Sequence, residues 1–246
     1  FLFVVVNSAF SIPATNPVTH EIPTWTDTLP WDNTVDVTQF EGENWDQKWI
    51  QARDKVASRG GGVVYFPAGE YVFKKDVVLK DGVIIRGAEV KESAKEETYS
   101  PKTVFRFPRF KPSFEGKGTP VDTAFKTITL ENPAADSRCG VVDVSILFGA
   151  IHFPDGPGHQ CGSNRIVYGC RLEAAARAIP SVPKDWQHAW QRYTHRHRAA
   201  IQVYTRNNAL IANNRLANSQ EHNFAMPGYR IQNRDGDIVE HDKIVF

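Results

Sequence analysis

NWDQKWIQARDKVASRGGGVVYFPAGEYVFKKDVVLKDGVIIRG, residues 44–87, holds one helical pattern followed only by short strands. Trp45, Trp49, Ala52 and Val56 recur at helical spacing and form a single apolar stripe. Asn44 with Gln47 three residues on predicts a capping-box start, and Gly60 predicts a C′ stop. Beyond it, 63–66, 71–73, 77–79 and 83–85 are β-branched or aromatic runs separated by Pro, Gly, Asp and Lys. A stack of parallel strands ends in unpaired backbone and bare apolar core, which a helix with one apolar face would cover. A plain αβ unit with Gly-Gly-Gly as a flexible turn also fits these residues. No second long helical pattern follows, which favours the capped stack.

This arrangement resembles the opening of a right-handed parallel β-helix of the pectate-lyase superfamily. There a capping helix leads through a Gly-rich turn into first strands of the GGVVYFPAGEY type. The resemblance implies an all-β solenoid with an N-terminal capping α-helix, and an action on polysaccharides. It is dense over residues 35–87 and carried only by rhythm in the later coils. Many relatives place a Gly-Asp-Gly and a paired Asp before the helix, where this chain has Glu41-Gly42-Glu43-Asn44-Trp45-Asp46. Polygalacturonase-like relatives carry Asn-Thr-Asp, Asp-Asp, Gly-His-Gly and Arg-Ile-Lys. None of these is found here, Gly158-His159-Gln160 included, so no catalytic residue carries over from the family.

Internal repetition points the same way. NRIVYGCRL (164–172) and NALIANNRL (208–216) align without a gap, 44 residues apart, and GVVDVSIL (140–147) resembles an earlier copy. That separation corresponds to two turns of about 22 residues or to one turn carrying an insertion. Alternation predicts Ile166, Tyr168, Cys170 and Leu172 pointing inward, stacked on Leu210, Ala212, Asn214 and Leu216. Asn213 or Asn214 would then begin an amide ladder between coils.

The chain of 246 residues, 41% apolar and 23% charged, is of soluble globular composition and long enough for a large core. Net charge of +1 gives no electrostatic case for nucleic acid. No run approaches the roughly 18 apolar residues of a membrane span. FLFVVVNSAFS (1–11) reads as the remnant of a secretory signal peptide, or else as a first strand, and 12–43 as an N-terminal extension. The domain proper is expected over 44–246. Both ends read as those of a piece of a longer protein. A secreted or periplasmic monomer is expected.

Three stretches break the rhythm. Residues 88–102 are charged and read as a solvated loop; 108–122 hold three prolines and two glycines, against regular structure. The third, 180–198, is dense in Trp, His and Arg, and loops on rigid scaffolds often carry function. In it Trp186, Trp190 and Tyr193 offer flat faces to sugar rings. His195, His197 and Arg198 suit carboxylates, which the Arg fork binds bidentately. The i, i+4 spacing of Trp186 and Trp190 equally fits a short amphipathic helix packed on the barrel. Near the end lie His222, Asp235 and Asp237. Glycoside hydrolysis uses two carboxylates, whereas lyase chemistry needs a base for the proton α to a uronate carboxylate and cations for the developing charge. Asp235-Gly236-Asp237 suits either, or a Ca²⁺ shared with a neighbouring coil, or an ordinary turn. Cys139, Cys161 and Cys170 show no metal-binding spacing.

The expected catalytic set is therefore Asp235, Asp237, His222 and Arg198, and the substrate-binding set is Trp186, Trp190, Tyr193, His195 and His197. The expected function is a secreted enzyme acting on a uronate-containing polysaccharide by lyase or hydrolase chemistry. A non-catalytic β-helix adhesin or glycan-binding surface module is the alternative.

Overall fold

A computed structural model of the chain describes residues 15–17, 24–91, 94, 96, 98–108, 113–114, 120–121, 126–134, 137–154, 162–173, 201–217, 229–232, 238–239 and 244–245. After β1 (Thr34–Asp36), helix α1 (Trp45–Ala57) opens the domain. The chain then visits three sheets in rotation. The first coil is β2 (Gly62–Tyr65), β3 (Gly69–Val72) and β4 (Val77–Leu79). The second is β5 (Val83–Arg86), β6 (Thr103–Arg106) and, after a small antiparallel hairpin of β7 (Ser113–Phe114) and β8 (Pro120–Val121), β9 (Thr127–Leu130). β10 (Cys139–Val142), β11 (Val144–Leu147) and β12 (Ala150–Phe153) make the third. The fourth has β13 (Gly162–Tyr168), β14 (Arg171–Glu173) and the first part of β15 (Ile201–Ala212), which runs on into the first sheet. β16 (Arg215–Ala217), β17 (Tyr229–Gln232), β18 (Ile238–Val239) and β19 (Ile244–Val245) extend the three sheets. Every pairing between coils is parallel, as the sequence predicts.

The rotation persists because each coil delivers an apolar side chain to the same interior point. Val64, Ile85, Val141, Val167 and Ile211 are successive register partners in the first sheet, all buried. Tyr71, Phe105, Ile146 and Leu172 do the same in the second. Strands about 4.8 Å apart leave these side chains in mutual contact, each burial contributing roughly 1.5–3 kcal/mol. Near the helix the interior turns aromatic, with Phe66 edge-on to Tyr71 at 5.0 Å and to Phe105 at 4.7 Å.

Helix α1 covers this aromatic end. Its stripe is the expected one: Trp49, Ala52 and Val56 are buried, and Trp45 meets Tyr71 edge-on at 4.6 Å. Asn44 Oδ1 accepts from the Gln47 backbone N–H, and Gln47 Oε1 accepts in turn from Glu43 N–H, so the box closes one residue upstream of the cap. The C-cap is Ser58; Gly60, at φ +87°, stands two residues beyond it rather than at C′. Gly62 is obligatory, since a Cβ there would lie 2.2 Å from the Asn33 carbonyl oxygen.

Residues 164–172 and 208–216 occupy adjacent strands, Ile166 opposite Leu210, so of the two readings of their separation one coil with an insertion holds. Other expectations need correction. Ile166, Tyr168, Leu210 and Ala212 face outward into a second apolar cluster, while Cys170 and Leu172 face inward as expected. The bend at Gly169, φ +63°, changes the phase between them. Within 12–43, Val35 of β1 pairs with Val64, and Leu29 and Trp31 join that outer cluster. Finally, 88–102 is not simply a solvated loop, because Ala94 and Tyr99 are buried.

Candidate functional site

The nine residues expected at the site, Trp186, Trp190, Tyr193, His195, His197, Arg198, His222, Asp235 and Asp237, lie outside the described residues. Their connections are nevertheless informative. The segment 174–200 joins β14 to β15, and 218–228 joins β16 to β17. Both therefore pass from the second sheet to the third in successive coils, and each delivers the chain into a third-sheet strand.

The outer faces of the three sheets differ in what lies over them. On the first, Val63, Ile84, Ile166 and Leu210 are buried in one cluster with Leu29 and Trp31. Arg86, also buried there, donates from Nη1 to the Thr15 carbonyl at 2.6 Å and pins the N-terminal segment. On the second, Ser145, Arg171 and Arg215 bind backbone of the 94–101 segment. Higher on that face the exposed pair Glu70–Arg106 makes two hydrogen bonds of 2.8 Å. On the third, Val78, Thr129 and His152 are only half-buried, alternating with buried Leu79, Leu130 and Phe153.

The third sheet carries a row of polar positions. Thr129 is the register partner of His152, His152 of Gln202, and Gln202 of Arg230. One alternation further, Tyr204 stands opposite Gln232. Ile201 and Val203, on either side of Gln202 in the strand, are both fully buried. At about 4.8 Å per strand the row Thr129–Arg230 spans roughly 14 Å. Thr129 and His152, half-buried neighbours in this row, bring a hydroxyl and an imidazole side by side on that face. The sequence signal was the period-2 pattern of AIHF (150–153), IQVY (201–204) and YRIQ (229–232).

The strongly perturbed groups lie elsewhere. Asp143, at the corner between first and second sheets, has its carboxyl pushed up to about 7, chiefly by burial; the Arg86 guanidinium opposes this and Glu89 adds to it. Burial drives the Cys139 thiol up to about 11 and raises Cys170 further. In each case burial is the first cause of the shift. Among the described residues no group of three His, Cys, Asp or Glu side chains is placed to hold a metal ion. Nor is any helix among them long and apolar enough to cross a membrane.

No protein-family model and no curated protein matches the chain. Among solved structures, the mannuronan C-5 epimerase AlgE4 A-module of Azotobacter vinelandii aligns at 15% identity and a TM-score of 0.37, over 74% of this chain and 49% of that one. PfbA, a surface adhesin of Streptococcus pneumoniae, aligns at 16% identity and a TM-score of 0.32, over 81% and 57%. The chain spans about half the length of these structures.

Proposed function

We propose that this chain is a right-handed parallel β-helix that holds an extended, uronate-containing polysaccharide across the outer face of its third sheet. The single observation behind this reading is the register row Thr129–His152–Gln202–Arg230 on the sheet face with half-buried outer positions. A polymer laid across the strands would meet one such side chain per coil. Segments 180–198 and 218–228, entering third-sheet strands beside the row, would bring Trp186, Trp190 and Tyr193 against sugar rings and His195, His197 and Arg198 against carboxylates. The protein would act outside the cytoplasm, as a monomer.

Within this reading the reaction is lyase or hydrolase chemistry. A lyase would use an imidazole such as His222 as base, with Arg198 steadying the charge that develops at the uronate. A hydrolase would use Asp235 and Asp237 as the acid and its partner, and the same pair would hold Ca²⁺ if one is bound. Incubation with pectic, alginate and neutral glycans, following ultraviolet absorbance of unsaturated uronates alongside reducing ends, separates these. Absorbance gain supports the lyase and points to His222 and Arg198. Reducing ends alone support the hydrolase and the Asp pair.

The row itself supplies hydrogen-bonding groups and, at its four positions, no carboxylate. That composition favours, as the second reading, a non-catalytic surface module that binds the same glycan. Binding without either product signal would select it, and neither binding nor products would defeat both.

A further inference from the structure

Ser145, Arg171 and Arg215 are successive register partners on the outer face of the second sheet. Each takes hold of a different backbone carbonyl from a segment far earlier in the chain. Ser145 Oγ donates to Pro101 O at 2.8 Å, and Arg171 Nη1 to Tyr99 O at 3.1 Å. Arg215 Nη1 donates to Glu96 O at 2.7 Å and to Ala94 O at 3.4 Å. Two further bonds fix the same segment. The Tyr99 hydroxyl donates to Gly169 O at 2.5 Å, and Ala94 N–H donates to Asn213 Oδ1 at 3.1 Å.

The order is systematic. From 94 to 101 the segment climbs from the strand of Arg215, past that of Arg171, to that of Ser145, and then enters β6 one strand higher. Tyr99 and Ala94 are buried under it, as are Ser145 and Arg215. Parallel coils contact only their neighbours, so in a bare stack each terminal coil opens by itself. A segment bonded to three coils at once changes that, because none can leave without breaking its bonds to the others. Every acceptor but Asn213 Oδ1 is a backbone carbonyl, and the Arg215 guanidinium, buried with its charge, loses its acceptors whenever the segment lifts, while the half-buried Arg171 keeps Glu173.

We infer that Ala94, Glu96, Tyr99 and Pro101 form a clasp that binds the coils of β11, β14 and β16 into one opening unit, so that these strands are protected or released together. The clasp works through the backbone and Tyr99, and is indifferent to the charges of its exposed side chains such as Glu96. It does not depend on what the third sheet binds.

Hydrogen exchange on the whole chain tests this. In Arg215→Met, two carbonyl bonds at one end of the clasp are lost. Amides of 144–147 and 171–173 should then exchange about tenfold faster together with those of 215–217, while 62–65 and 83–86 keep their protection. Tyr99→Phe removes only a hydroxyl and should give the same spatial pattern at smaller amplitude, and Glu96→Ala should leave all three strands unchanged. Acceleration confined to 215–217 in Arg215→Met, or no joint acceleration of 144–147 and 171–173 in Tyr99→Phe, would overturn the clasp. If Arg215→Met does not fold, the Tyr99→Phe comparison decides.

Discussion

Asn214 binds Cys170 across the coil boundary: its Oδ1 accepts from the Cys170 backbone N–H at 2.9 Å, while its Nδ2 donates to the Val167 carbonyl at 2.9 Å. The side chain is fully buried and replaces the backbone pairing interrupted at the corner. Asn214→Ala leaves a buried donor and a buried acceptor unmet. A loss of about 2–4 kcal/mol in denaturant unfolding is expected, against less than about 1 kcal/mol for Lys75→Ala at an exposed turn.

Asp46 ties the capping helix to the first coil. Its carboxylate accepts from Lys74 N–H at 3.1 Å and Lys75 N–H at 3.0 Å, in the turn between β3 and β4, and the residue is buried. Charge-assisted bonds of this kind contribute about 1.5–3 kcal/mol in sum once desolvation is counted. Asp46→Ala should therefore cost more than Asn44→Ala, which removes a single exposed cap worth about 1 kcal/mol, in parallel urea titrations.

The Asp143 carboxyl predicts a pH dependence. Its folded value of about 7 lies above the roughly 3.9 of an unfolded chain, so the folded state holds this proton more tightly. Its contribution to stability is thus full below pH ~4 and is lost as pH rises to about 7, at no more than roughly 1.4 kcal/mol per pH unit. Asp143→Asn should flatten the stability profile across that window and gain most over the parent at the alkaline end. Thermal unfolding at intervals from pH 5 to pH 8 reads this directly.

Cys139 and Cys170 are enclosed and their thiols are raised by burial. In a Cys161→Ala background neither should react with a thiol reagent at pH 8 until denaturant is added. Rapid native labelling of either would contradict their placement inside the stack.

The opening of the fold was legible because local signals agreed there. Asn44, the Trp49–Ala52–Val56 stripe and the glycines each dictate one conformation, and the strands that follow are short and bounded. The 164–172 and 208–216 repeat also gave the correct strand register. Facing was harder. Alternation alone put Ile166 and Tyr168 inside, because both layers of the first sheet are apolar and the phase depends on a left-handed corner at Gly169. The role of 88–102 was hidden for a different reason: the clasp is held by carbonyls, which every sequence possesses. The amide ladder expected at Asn213 or Asn214 has a counterpart at the start of the repeat, where Asn208 Nδ2 donates to Asn164 Oδ1 at 2.7 Å. The third-sheet row was written in three short alternating runs, yet only their register shows that the runs are adjacent.

Affinity electrophoresis in gels containing polyuronate or a neutral glycan tests the central claim most directly. The protein should be retarded by the polyuronate, and His152→Ala, Gln202→Ala and Arg230→Ala should each weaken that retardation about tenfold or more with unfolding transitions unchanged. Retardation that survives all three substitutions, or none by any glycan, would contradict a polysaccharide site on the third sheet.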